Sequence, residues 1–278
     1  MVGKLKLDEI GFWSEIKLEI IKKYANAYST IISKKEIFEH AYIDAFAGAG
    51  MHISKKTGDW VKGSPINALQ IRPPFKHYYF IDLKGEKTEF LASLVGKRKD
   101  VDIFQGDCNE ILKEKVFPNI KYRDFKRALC LLDPYGLHLS WEIIKQAGNM
   151  QTIEIFLNFP VMDMNMNVLW SDQTRVDAQQ AKRMTYLWGD ETWKKQLFEE
   201  NLNLFDEPLI QKMDARNIAN VFKNRLKNEA KFKYVPDPIP MRNRSRGILY
   251  YLFFASQNPV AKRIVEDIFN KYRKKGWT

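Results

Sequence analysis

Five short apolar runs constrain this chain more than any other feature: residues 41–46, 78–83, 101–105, 128–133 and 152–159, each ending in polar or glycine-rich residues. Helical patterns separate them at 65–70, 87–97, 110–115 and 141–147. Strands that alternate with helices predict an α/β fold, a mostly parallel sheet covered on both faces and joined by right-handed crossovers. At 278 residues the chain is long enough to bury a full core, and 45% hydrophobic content excludes a disordered or fibrous chain.

The flanking segments have patterns of their own. Residues 13–34 carry Ile16, Ile20, Tyr24 and Ala27 at helical spacing, with Ser14 as the expected N-cap. After Pro160 the strand pattern breaks. Residues 161–212, with Trp170, Trp188, Trp193 and many charges but no strand signal, read as a helical insertion. A helix is expected over 214–230 (Ile218, Val221, Phe222, Leu226), then extended segments at 232–235 and 248–256 flanking PDPIP and RNRSR. Asn258 and Pro259 read as N-cap and first residue of a closing helix. The expected division is therefore 1–40 as an N-terminal helical segment, 41–160 with 213–278 as one α/β domain, and 161–212 as the insertion.

Several classes drop out. The longest apolar run, 248–255, is far short of the ~20 residues that span a bilayer. The first residues lack the apolar core of a secretory signal, and two cysteines (Cys108, Cys130) make no disulfide framework. His40, His52, His77 and His138 are scattered, so no structural metal is expected and a cytoplasmic location is the default. The net charge of +11 points to an anionic partner.

The chemistry-bearing residues stand at the strand ends. Asp44-Ala-Phe46-Ala-Gly48-Ala-Gly50 follows the first strand, and closely spaced glycines let backbone approach a ligand. The second strand ends in Asp82, placed to accept hydrogen bonds from ribose hydroxyls, as acids at this position do in doubly wound folds. Its separation from Gly50 exceeds the ~20 residues of a dinucleotide fingerprint, which an inserted loop over 52–63 explains, with Ser64 as N-cap and Pro65 opening the next helix. The third strand ends at Gly106-Asp107-Cys108-Asn109 and the fourth at Asp133-Pro134-Tyr135-Gly136. An acceptor carboxylate, carbonyls stiffened by proline and an aromatic plane suit a planar substrate bearing an amino group.

The order DAFAGAG, FID, GDCN, LLDPYG and a strand ending NFP resembles class I S-adenosylmethionine-dependent methyltransferases, and more narrowly the three-Cys-motif partner protein (TcmP) family. WSEIKLEIIKKYANAY, the GSP after the first loop and LYYLFFAS are also similar to that family, so the resemblance covers 12–160 and, more loosely, 245–270. It implies a Rossmann-like seven-stranded sheet with an antiparallel C-terminal hairpin. It implies S-adenosylmethionine as cofactor: the Asp44–Gly50 loop, with Phe46, Gly48 and Gly50, at the methionine part, Asp82 at the ribose, Asp107 and the backbone of Cys108 at adenine. Asp133, Pro134 and Tyr135 would face the methyl acceptor. DPYG is similar to the D-P-P-Y of amino-methylating nucleic-acid enzymes but lacks one proline, so Tyr135 stands one position early. The family name implies a partner protein carrying a three-cysteine motif.

The expected function is methyl transfer to an exocyclic amino nitrogen of a nucleic-acid base, with a flipped-out base stacked on Tyr135 or Phe159. Arg242, Arg244 and Arg246 fall at period two, which on an extended chain aims three guanidiniums at RNA or DNA phosphates. Lys97, Arg98 and Lys99, and the cluster Lys271, Arg273, Lys274 and Lys275, are further candidates for phosphate contact or simply a solvated surface. The tryptophans of the insertion read as core residues, and both cysteines as buried strand residues rather than nucleophiles. Two other readings stay open: a methyltransferase for a small molecule or protein, and a non-catalytic subunit of this fold that binds RNA or the three-Cys partner.

Overall fold

The computed structural model describes residues 7–202, 208–243 and 246–274. The chain runs β1 (Glu9–Ile10), α1 (Phe12–Ser33), β2 (Glu39–Asp44), β3 (Met51–Ser54), β4 (Trp60–Lys62), α2 (Ser64–Leu69), β5 (His77–Asp82), α3 (Gly85–Val95), β6 (Val101–Gln105) and α4 (Cys108–Ile111). It continues through β7 (Lys126–Leu132), α5 (Trp141–Met150), β8 (Ile153–Phe159), α6 (Val161–Asn167), α7 (Ala178–Trp188), α8 (Trp193–Gln196), β9 (Phe198–Leu202) and β10 (Pro208–Lys212). It ends with α9 (Ala215–Asn228), β11 (Ile239–Arg242), β12 (Ile248–Ala255) and α10 (Pro259–Lys274).

Seven strands form the central sheet in the order β11-β12-β8-β7-β2-β5-β6. The pairs β8–β7, β7–β2, β2–β5 and β5–β6 are parallel, while β12 runs antiparallel to both neighbours. This is the Rossmann-like class I methyltransferase fold, with its antiparallel C-terminal hairpin. Strand alternation divides the core. Ile43, Ile81, Cys130, Leu132, Ile155 and Leu157 face one side, with α5, α7 and α9; Tyr42, Phe80, Leu129, Leu131 and Phe156 face the other, with α1 and α10. The central strands are buried on both faces, so they carry near-continuous apolar runs. Successive strands leave β2 in opposite directions, to β5 and to β7. The carboxyl ends of β2 and β7 therefore flank the switch point where ligands of open α/β sheets lie.

Several expectations need correction. Gly11, not Ser14, caps α1, and Gly63, not Ser64, caps α2, so each helix opens one or more residues early. The inserted loop over 52–63 is an ordered hairpin, β3–β4, and β1 adds to it as a third strand. Segment 161–212 is not all helix: β9 and β10 pair antiparallel, although charge and low apolar content hid them. Residues 232–235 form no strand beyond a bridge from Tyr234 to Ser256, and the edge strand is β11, within the proline-bearing stretch. Pro240 is tolerated there because β11 pairs on one side only.

Candidate active site

The carboxyl edge brings Asp44, Asp82, Asp107 and Asp133 to four successive strand ends. Each carboxylate already has work. Asp44 is fully buried and accepts the Phe46 N–H at 3.3 Å; burial pushes its carboxyl up to about 7. Asp82 accepts the Gly48 N–H through Oδ2 and the Lys84 N–H through Oδ1, both at 2.9 Å, tying two strand-end loops together. Asp107 caps α4, accepting from Asn109 N at 2.7 Å and Glu110 N at 3.3 Å. Cys108 begins that helix rather than lying on a strand, and burial pushes its thiol up to about 12, which removes it as a nucleophile. Cys130 is buried on β7.

The glycines divide by role. At Gly50 (φ +78°) a Cβ would lie 2.7 Å from Leu91 Cδ1, and at Gly63 it would lie 2.9 Å from the Gly50 carbonyl oxygen. Both are packing glycines. Gly48 (φ +61°) differs, since a Cβ there would meet nothing within 4 Å. A side chain there would enter open space in a cavity wall, where a ligand chain could lie against the backbone.

Two cavities of about 810 Å³ each occupy this edge. One is walled by Phe46, Asp82, Gly106, Asp107, Cys108 and Leu137. The other is walled by Gly48, Ser64, Lys17, Asp133, Asn158 and Tyr250. Asp8, Phe46, Lys84, Lys87 and Tyr135 line both, so the cavities meet there. The first cavity, with Asp82 and Asp107 in its wall, could hold an adenosyl group, and the second, walled in part by Gly48, its charged chain. Asp82 and Asp107 would face its adenosine, and the Asp44–Gly50 loop its methionine part.

Asp133 is held by a residue far away in sequence. Lys17 Nζ, from α1, lies 2.5 Å from Asp133 Oδ2 and 5.4 Å from the centre of the Tyr250 ring. Burial works against the Lys17 ammonium, but the Asp133 carboxylate outweighs it and holds its pKa above the usual lysine value. In the same cavity wall, Asn158 Oδ1 is buried with no hydrogen-bond partner among the described residues. A second pair sits at the junction: Lys87 Nζ lies 2.5 Å from Asp8 Oδ2, which also accepts the Tyr135 hydroxyl at 3.2 Å. Tyr135 is 65% exposed, with Lys87 Nζ 5.6 Å from its ring centre.

Sequence reasoning missed Lys17, Asp8 and Lys87. One signal was available: Lys17 falls on the apolar face of α1 with Ile16, Ile20 and Ile21, where an unpaired lysine is costly. Other candidates lie elsewhere. Phe159 is fully buried, stacked on Phe222 with ring centres 4.2 Å apart, and is a core residue rather than a stacking platform. Arg242 ends β11 and donates to the Arg246 carbonyl at 2.8 Å; Arg246 has φ +64° in the hairpin turn. Arg242 on the strand and Arg246 in the turn thus do not share one face of an extended chain, and Arg244 lies outside the described residues. Arg98 is paired with Asp100, and Lys275 also lies outside the described residues. Trp188 and Trp193 are buried, and Trp170 is 39% exposed. Among the described residues no group of three or more His, Cys, Asp or Glu is placed to hold a metal ion, and no helix is long and apolar enough to cross a membrane.

No family model matches the sequence, and no curated protein matches it. Among solved structures it is similar to LPL1258 from Legionella pneumophila, with 15% identity over 94% of this chain and 93% of that one and a TM-score of 0.45. It is also similar to a protein from Thermobifida fusca described as a candidate methyltransferase, with 13% identity, 87% and 80% coverage and a TM-score of 0.42. A third is a SAM-dependent methyltransferase from Leishmania major, with 11% identity, 86% and 72% coverage and a TM-score of 0.39. Similarity this distant says nothing of activity, and the fold stands on its sheet order.

Proposed function

We propose that this chain is an S-adenosylmethionine-dependent methyltransferase that modifies an exocyclic amino nitrogen of a nucleic-acid base, and that it belongs with the TcmP proteins. One observation carries the reading. Asp133 and the orphaned Asn158 oxygen, two hydrogen-bond acceptors, wall a cavity that opens onto the one bordered by Asp82 and Asp107.

When bound, the cofactor supplies an electrophilic methyl group on a sulfonium. The chain's own residues position the acceptor. An exocyclic amine is a poor nucleophile because its lone pair is delocalised into the ring. Acceptance of its N–H bonds by Asp133 and Asn158 favours the pyramidal nitrogen and stabilises the positive charge that develops on it. Each such group is worth roughly 3–4 kcal/mol when preorganised. Lys17 holds Asp133 in place until the amine arrives. Tyr135, exposed at the cavity mouth, offers a ring face to a base. Nucleic acid as the partner is supported by the net charge of +11.

The test begins with S-adenosylhomocysteine in a thermal melt, with NAD as control. Ligand at about 100 times its Kd adds roughly 2.7 kcal/mol, a shift of several degrees for a domain of this size. Tritium transfer from labelled cofactor to RNA and DNA follows. Asp133→Ala is expected to bind S-adenosylhomocysteine normally and to lose methyl transfer; full transfer by the variant rejects the acceptor assignment. A second reading rests on the Lys17–Asp133 pair itself, because a carboxylate already neutralised suits a non-catalytic subunit. In that case the wild type binds RNA and transfers nothing.

A further inference from the structure

We infer that Asp8 and Lys87 bind the aminocarboxylate end of the cofactor, so that the segment preceding α1 completes the cofactor site. The assignment rests on the cofactor reading above and adds residues to it.

The argument starts from burial. Lys87 has a side chain only 7% exposed, while its partner Asp8 is 40% exposed. Burial opposes both charges, yet the hydrogen bond between them and their mutual attraction raise the Lys87 pKa and lower that of Asp8. An ammonium this enclosed requires an anion at every stage of a binding cycle. Asp8 supplies one from a segment held to the body by two register pairs, Glu9 with Ile53 and Ile10 with Ser54. The pair also stands where the two cavities join, with Phe46 and Tyr135.

A ligand with its adenosine against Asp82 and Asp107 brings its amino-acid chain to this junction, beside Gly48. The only charges it carries besides the sulfonium are an α-ammonium and an α-carboxylate. Those two charges are the complement of Asp8 and Lys87. Exchange of partners, carboxylate to Lys87 and ammonium to Asp8, leaves no buried charge unpaired. Other lysines line these walls, but Lys17 is committed to Asp133 inside the second cavity, and Lys84 and Lys55 lack the enclosure of Lys87.

The experiment compares two ligands by calorimetry on the full chain. S-adenosylhomocysteine carries the aminocarboxylate; 5′-methylthioadenosine has the same adenosyl thioether without it. Lys87→Met, Asp8→Asn and the double variant are expected to weaken S-adenosylhomocysteine by about tenfold to a hundredfold. Their affinity for 5′-methylthioadenosine should stay within about twofold of wild type, which also certifies the fold. Equal loss for both ligands, or loss for neither, overturns the assignment. So does a result in which Lys17→Met, and not Lys87→Met, selectively weakens S-adenosylhomocysteine. A wild type that binds neither ligand overturns the cofactor reading itself, a distinct outcome.

Discussion

At the scale of single residues, the two glycines of the first loop separate folding from binding. Gly50→Ala combines a left-handed φ with an approach of 2.7 Å to Leu91, and is expected to lower the melting temperature by several degrees. Gly48→Ala has the same backbone penalty, about 1–2 kcal/mol, but no steric neighbour. Its methyl group enters the open space in the cavity wall instead. The expected outcome is a folded protein with strongly reduced S-adenosylhomocysteine affinity, read from melts and calorimetry on the same samples. Retained affinity would mean that no ligand approaches this backbone. Asp44, Asp82, Asp107 and Asp133 were legible from sequence because a strand-end acid is a local pattern. Lys17, Asp8 and Lys87 were not, because their meaning lies in partners distant along the chain, as with the 116 residues separating Lys17 from Asp133.

At the scale of elements, Glu154 joins three of them. It stands on β8, accepts the Tyr24 hydroxyl of α1, and accepts the Ser256 hydroxyl beyond β12 at 2.9 Å. Burial raises its carboxyl to about 7 from an ordinary value of 4.5. The folded chain therefore holds this proton more tightly than the unfolded one. Its contribution to stability is complete below about pH 4.5 and is lost as pH rises through about 7. Asp44 acts in the same direction. Glu154→Gln keeps a hydrogen-bonding group in place and should flatten the fall in melting temperature between pH 5 and 8; an unchanged slope would assign that fall elsewhere. Strand order and helix faces were legible because both sheet faces are buried and the hydrophobic period changes where elements change. The ends were less so: β11 hides behind prolines, and β9 and β10 pair with each other apart from the central sheet. Arg225 of α9 is a tertiary device that no local pattern announces. It donates to the Trp188 carbonyl at 2.7 Å, pairs with Asp190, and lies 5.0 Å from the Trp141 ring centre. Arg225→Met should loosen the inserted segment from α9, increasing amide exchange in α7 more than in β7.

At the scale of the whole molecule, the excess of 45 basic over 34 acidic side chains makes binding to nucleic acid strongly salt-dependent under the proposed function. For single strands the slope of log K against log salt approaches −0.7 per phosphate neutralised. A slope near zero with retained methyl transfer would point to an uncharged acceptor. The walls of the two cavities also differ in where they come from. The first draws on residues 8 to 186 and the second reaches from Leu7 to Tyr250. During synthesis, every residue walling the first chamber therefore emerges before the last strands do. The chamber holding Lys17 and Asp133 needs Tyr250 of β12 to complete its wall. A ribosome-bound intermediate would thus be competent to capture a ligand before it is competent to use one. Arrested chains of increasing length, probed for S-adenosylhomocysteine protection, would display that order directly.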